Sequence, residues 1–309
     1  MRTRYQAIAF AFFLGTLTIG TTHAQSKAPK SSDWIQLFNG KDLTGWDVKI
    51  AGYAMNDNYK NTFRAEDGMI RVMYDGYDRF DGRYGHLYYK EPFSHYRLRF
   101  EYRFLGEQLP GGDSWNVRNS GVMLHSEPAW NLGKDQTFPV SLEMQLLGGL
   151  GSGERHTGNL CSPGTIADIN GKLDMAHCID ASSKTYNGDV WVKGEAIVYG
   201  DSIIYHLIEG DTVLTYTHTR IGGGFTSPAN NSFEAAHFTP ESAAAWRKLA
   251  NKPLKSGYIA LQSESHAIDF RKIELLPLKG CMDPKASNFK SYYEISDQVA
   301  CTYKKKSKQ

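Results

Sequence analysis

The chain has almost no net charge. Its 35 Lys and Arg against 33 Asp and Glu leave +2 over 309 residues, so composition carries no electrostatic footprint for nucleic acid. Long apolar runs are also missing. The one near the N-terminus, residues 7–14, is too short and interrupted for a membrane span, and a multi-span membrane protein is excluded. Proline is sparse, 11 residues against 30 Gly, without the repeat a collagen needs, and no heptad pattern supports a coiled coil. With four cysteines and no C-x-x-C pair, a zinc site has little support. No G-x-S-x-G elbow and no H-E-x-x-H pair occur, which removes the common serine-hydrolase and zincin readings. The GGLGSG stretch at 148–153 has the wrong glycine spacing for a dinucleotide loop, and no helix pattern follows it.

What is abundant is aromatic. Tyr, Phe and Trp make up 13% of the chain; such residues favour half-buried pleated surfaces and stack on flat ligands such as sugar rings. At the N-terminus, Arg2 and Arg4 precede the apolar run, and Thr22 and Ala24 place small residues at −3 and −1 of a cleavage site. Residues 1–24 read as a secretory signal peptide and 25–33 as a polar linker, so the protein is expected to be periplasmic or secreted, with no membrane span after cleavage. All four cysteines lie beyond that leader, and an even count in an oxidising compartment reads as two disulfides. Sequence proximity favours Cys161–Cys178 and Cys281–Cys301, one of three connectivities.

Between 34 and 278 the pattern is that of strands. In YRLRFEYRF (96–104), Leu98, Phe100, Tyr102 and Phe104 alternate with Arg97, Arg99, Glu101 and Arg103. In SLEMQL (141–146), Leu142, Met144 and Leu146 alternate with Glu143 and Gln145. Three more runs, 190–198, 202–208 and 212–218, are separated by YGD and EGD turns, as in a meander. One helix is predicted after Thr239, with Pro240 in its first turn and good formers to Ala250. Many short strands and one helix give an all-β sandwich or jelly roll of two antiparallel sheets. Residues 279–309 form a Cys-bounded appendix with a basic tail, too short for a core of its own.

A sheet in such a fold packs one face inward and offers the other to solvent or ligand. Arg99, Glu101, Arg103, Glu143 and Gln145 are therefore expected to share a concave binding face. Retaining glycosidases place two carboxylates about 5–5.5 Å apart; on this strand Gln145 stands where the second acid would be, so the partner would have to come from elsewhere. His125 alternates with Gly121 and Met123 after Asn119, and is expected on a polar face. His156 lies in the Gly-rich loop after Glu143, where loops over rigid sheets carry function, although a solvated loop histidine is the plainer reading. Gln262, Glu264 and His266 extend a late strand toward the same surface.

These segments resemble one family. LFNGKDLTGW (37–46), the arginine-bearing strand (97–103), NSGV (119–122), EMQ (143–145), GYIALQ (257–262) and FRKI (270–273) come in the order of the 3-keto-disaccharide hydrolase domain family, long known only as a domain of unknown function. The resemblance covers residues 34–278. It implies a concanavalin A-like jelly roll and action on a carbohydrate, a glycoside whose ring C3 is already a ketone. The ketone acidifies the C2 proton, so a base can remove it, an enolate forms at O3, and the C1 substituent leaves; adding water then completes a net hydrolysis. That chemistry needs a base, an enolate stabiliser and an acid. His125 or Glu143 is the expected base. Arg99, Arg103 or a divalent metal held by His125 and Glu143 is the stabiliser. Glu101, His156 and Gln262 support, and Asn119, Gln145 and Glu264 bind substrate. The rivals are a carbohydrate-binding module, which needs aromatics and amides rather than buried ionisable groups, and an ordinary glycoside hydrolase, which needs a second acid facing Glu143.

Overall fold

The computed structural model describes residues 28–223 and 233–304. The expected signal peptide, the start of the linker and the end of the basic tail lie outside the described residues. In chain order the strands begin β1 (Ile35–Gln36), β2 (Trp46–Ile50), β3 (Phe63–Glu66), β4 (Met69–Val72), β5 (Gly85–Tyr89) and β6 (His95–Gln108). They continue β7 (Asn119–Ser126), β8 (Leu142–Leu147), β9 (Asn159–Cys161), β10 (Thr165–Ile169), β11 (Lys172–Asp174) and β12 (Cys178–Ile179). Those that complete the two large sheets are β13 (Val192–Tyr199), β14 (Ile203–Ile208), β15 (Asp211–Ile221), β16 (Tyr258–Ser263) and β17 (His266–Pro277).

Among the described residues these make two large antiparallel sheets. One has the order β11-β10-β15-β14-β13-β6-β17-β4-β3, with β1 added beside β17; the other runs β12-β9-β8-β7-β16-β5-β2. The period-2 pattern decides which side chains meet between them. Leu98, Phe100, Tyr102 and Phe104 of β6 join Leu142, Met144 and Leu146 of β8 in one buried core. The β14–β15 hairpin turns on Glu209 (φ 53°) and Gly210 (φ 94°), two successive left-handed residues that match the twist of the flanking strands. The predicted helix is α1 (Pro240–Lys248); the Thr239 hydroxyl caps it by accepting from Ser242 N at 3.2 Å.

Both disulfides pair as expected. Cys161–Cys178 ties β9 to β12, whose cysteines are direct cross-strand partners. Cys281–Cys301 closes the appendix, which docks on the sandwich through Lys290 on Asp33 (2.7 Å) and Glu294 N on Leu278 O (2.9 Å). Closing loops of this size stabilises by about 3 kcal/mol each in the chain-entropy model.

Candidate active site

The outer faces of the two sheets point to opposite sides of the sandwich, and this corrects the expected shared surface. Arg99, Glu101 and Arg103 lie on the ten-stranded sheet, where they pair with each other's neighbours. Arg99 meets Glu274, Glu101 accepts from Arg271 (2.6 Å) and Lys272 (2.8 Å), and Arg103 donates to Asp269 (2.7 Å). Arg99 and Glu101 border a charged groove, but the charges of all three are satisfied there, and Glu143 is on the other side of the core.

Glu143 and Gln145 lie on the outer face of the seven-stranded sheet. With Asn119, Trp115, Phe138 and Glu264 they line a cavity of about 320 Å³. The disulfide Cys161–Cys178, Pro163 and His177 complete its wall. Cys161 stands there because it is the cross-strand neighbour of Glu143. On the other flank Glu143 faces Met123, and Gln145 faces Gly121. Gly121 is what lets Glu143 lie flat: a Cβ at 121 would stand 2.6 Å from Glu143 Cγ, inside van der Waals contact. Gly121→Ala should therefore keep the fold and displace the carboxylate. A displacement near 1 Å costs about 10²-fold in rate, so kcat should fall by roughly that factor while the melting temperature changes little. Retention of full kcat would show that Glu143's position is not critical.

Glu264 reaches the same cavity from the β16–β17 turn. That turn is built to hold it. Ser265 sits at φ 69°, and its amide donates to Tyr74 Oη at 2.9 Å. Its carbonyl accepts from Leu109 N at 2.9 Å, and its hydroxyl accepts from Gln108 Nε2 at 2.9 Å. Both carboxylates are almost fully buried, at 6% and 2% exposure. Burial pushes the Glu143 carboxyl up to about 8. Glu264 is pushed well above the ordinary range, first by burial and then by the charge of Glu143, with Arg155 drawing it back. Two such groups do not ionise together at neutral pH, because the charge of either one raises the cost of charging the other. Arg155 is fixed against the carbonyls of Val117 (2.6 Å) and Gly148 (2.8 Å).

The amides complete the site. Gln145 Oε1 accepts from Asn159 Nδ2 at 3.0 Å, which leaves the Gln145 amide nitrogen as a donor. Asn119 Nδ2 donates to Trp115 O at 3.2 Å, while its Oδ1 is buried without a partner. Gln262 is fully buried on the same sheet face beside His86, and neither of its amide atoms has a partner.

Both histidines fall elsewhere. His125 adopts φ 49° at a register shift between β7 and β16. The bulge breaks the alternation with Met123 and turns the ring inward, onto Tyr96 (centroids 6.2 Å) and Gly200 O (3.1 Å). Burial holds its pKa down at about 4, so it stays neutral in the core. The His125–Glu143 metal pair is therefore not assembled, and among the described residues no three His, Cys, Asp or Glu side chains are grouped as metal ligands. His156 turns to Ser183 O and toward Glu154 (3.8 Å) and does not line the cavity. Sequence reasoning missed Trp115, Phe138 and Arg155. The GGDSW loop at 111–115 held the one available signal, a tryptophan in a turn-rich segment.

A jelly-roll sheet carrying a buried acid pair, amides and an exposed Trp in one cavity is the site of a carbohydrate-active protein. The chain belongs to the 3-keto-alpha-glucoside-1,2-lyase-like domain family, whose model matches residues 33–276. No curated protein matches it. Solved structures similar to it include a candidate glycosyl hydrolase from Parabacteroides distasonis, 15% identical with a TM-score of 0.45, covering 81% of this chain and 98% of that one. The carbohydrate binding module CBM66 from Bacillus subtilis is 10% identical with a TM-score of 0.34, covering 74% and 93%. The VIP36 exoplasmic/lumenal domain is 11% identical with a TM-score of 0.43, covering 85% and 95%.

Proposed function

We propose that this protein cleaves the C1–O bond of α-glucosides already oxidised at C3, by elimination across C1 and C2. The observation that carries this reading is the buried Glu143–Glu264 pair in a chain of this family. Glu143, the less strongly raised of the two, acts as base and takes the C2 proton. The electron pair forms an enolate toward O3, where the Gln145 amide donates. When the enolate collapses, the C3 ketone returns, a C1=C2 double bond forms and the C1–O bond breaks. Glu264 gives its proton to the departing oxygen. The proton count balances, since one carboxyl gains what the other loses. Water adding across C1=C2 yields the free 3-keto sugar. The two disulfides support work in an oxidising compartment, and we place the protein outside the cytoplasm, in the periplasm or secreted.

An acid pair also suits direct displacement at C1, and Glu264 is the second acid that an ordinary glycoside hydrolase requires. The family favours elimination. A binding module has less support, because two buried carboxylates without ionic partners are expensive to hold and contribute little to sugar affinity. The test is purified protein with a 3-keto-α-glucoside and its unoxidised parent. Only the ketone should be cleaved; cleavage of the unoxidised parent at least as fast as that of the ketone would select the displacement reading, and cleavage of neither would remove the enzyme.

A further inference from the structure

The Cys-bounded appendix differs from the sandwich in two respects. The first is charge. Residues 279–309 hold seven Lys against Asp283, Glu294 and Asp297, a net +4; the whole chain carries +2, so the other 278 residues carry −2. Lys279 and Lys290 are engaged with Asp297 (3.5 Å) and Asp33 (2.7 Å). Lys304 is exposed, and Lys305, Lys306 and Lys308 follow it in sequence. The second is apolar exposure. Of the eleven exposed large apolar or aromatic side chains among the described residues, Met282, Phe289, Val299 and Tyr303 belong to the appendix, although it supplies only about a tenth of those residues.

Val299 is the clearest case. It lies inside the turn closed by Cys301 N on Gln298 O at 3.2 Å, where Gly, Pro and small polar residues are the rule, and it is 96% exposed. The disulfide to Cys281 fixes that turn. Hydrogen bonds hold the two apolar-bearing segments side by side. Asn288 Nδ2 donates to Ala300 O (2.7 Å) and Asn288 Oδ1 accepts from Thr302 N (2.9 Å). Tyr303 Oη donates to Asp283 Oδ2 (2.7 Å), next to Met282.

Apolar tips among lysines suit a lipid–water interface: the tips enter the acyl boundary while the ammonium groups stay with anionic headgroups. An acidic polysaccharide would pair with the lysines and gain nothing from Val299 or Met282. We propose that the appendix docks this protein on an anionic lipid bilayer. Its place in the fold fits that role. Glu264 stands just ahead of one end of β17 and the appendix just past the other, about 35 Å apart at the rise of a strand. The Glu143–Glu264 cavity therefore lies a strand's length from the docked end.

Co-sedimentation of the purified protein with phosphatidylcholine vesicles, with and without phosphatidylglycerol, reads the docking without any turnover. Binding should require phosphatidylglycerol and weaken as salt rises from about 0.05 to about 0.5 M, because screening shortens the reach of the lysine charges. Lys304→Ser, Lys305→Ser, Lys306→Ser and Lys308→Ser together should weaken it at least about hundredfold, each charge being worth about fivefold. Val299→Asp should weaken it about tenfold, the value of one buried aliphatic side chain. Neither variant should move the melting temperature. Equal binding to both kinds of vesicle, or binding to neither, overturns the proposal. So does binding that follows salt and the lysines but is unchanged in Val299→Asp; that is the behaviour of a plain polyanion site, which a soluble acidic polysaccharide would fill equally well.

Discussion

Glu143→Gln and Glu264→Gln are each expected to lower kcat on a 3-keto-α-glucoside by about 10²–10⁴-fold, the usual worth of a positioned acid or base. Glutamine keeps the shape of the side chain and removes the carboxyl that must take or give the proton. The double variant should be little worse than the worse single, because a base without its acid completes only half of the proton transfer. The same substitutions should act on stability with a defined sign. The Glu143 carboxyl is raised from 4.5 to about 8 in the folded protein, so folding favours its protonated form. The associated stability is fully present below the unfolded value near 4.5 and is lost as pH rises through 8. A glutamine at this position does not titrate and carries no such dependence. The melting temperature of Glu143→Gln should match the parent near pH 4.5 and exceed it increasingly toward pH 8. A variant that keeps parental kcat on every substrate removes the assigned residue from the chemistry; one that is less stable than the parent at pH 8 contradicts the buried, protonated pair.

The architecture was legible because side-chain alternation survives in sequence. Leu98 to Phe104 and Leu142 to Leu146 mark inward faces, and Thr239 with Pro240 marks a helix start, as the structure shows. The proximity rule found both disulfides. The site was legible only strand by strand. Alternation says which residues share a face of one strand, but not which of two sheets the strand joins. For that reason Arg99 and Glu143 looked like neighbours and lie on opposite sides of the core. His125 failed for a different reason: one residue at φ 49° inverts the alternation, and histidine gives no such warning in sequence. Glu264 was placed on the right surface, but its partnership with Glu143 depends on a turn anchored by Tyr74, Gln108 and Leu109, three contacts distant in sequence. Arg155 and Trp115 come from loops, where no period exists to read.

Turnover in deuterated water should place deuterium at C2 of the released sugar, whether the product is the unsaturated ketone after hydration or the sugar re-formed by exchange. The reason is the order of bond changes. Glu143 must take the C2 proton before the C1–O bond breaks, and water re-protonates C2 when it adds across the double bond. A carboxylate, even one raised by burial, removes a carbon-bound proton only where a neighbouring carbonyl delocalises the charge. An unoxidised glucoside offers none, and its cleavage should be slower by several orders of magnitude, on the scale of whole enzymatic accelerations. Direct displacement at C1 makes the opposite demand: C2 keeps its hydrogen, and the ketone, by withdrawing electrons from the oxocarbenium-like centre, slows the reaction. A C2-deuterated 3-keto substrate should also react more slowly wherever proton removal limits the rate, and Glu143→Gln should lose exchange and cleavage together. Glu264→Gln divides the two steps: exchange at C2 persists because the base is intact, while cleavage is lost with the acid that protonates the leaving oxygen. Loss of exchange in Glu264→Gln with retention in Glu143→Gln would reverse the two roles, and cleavage with no label at C2 would rule out elimination.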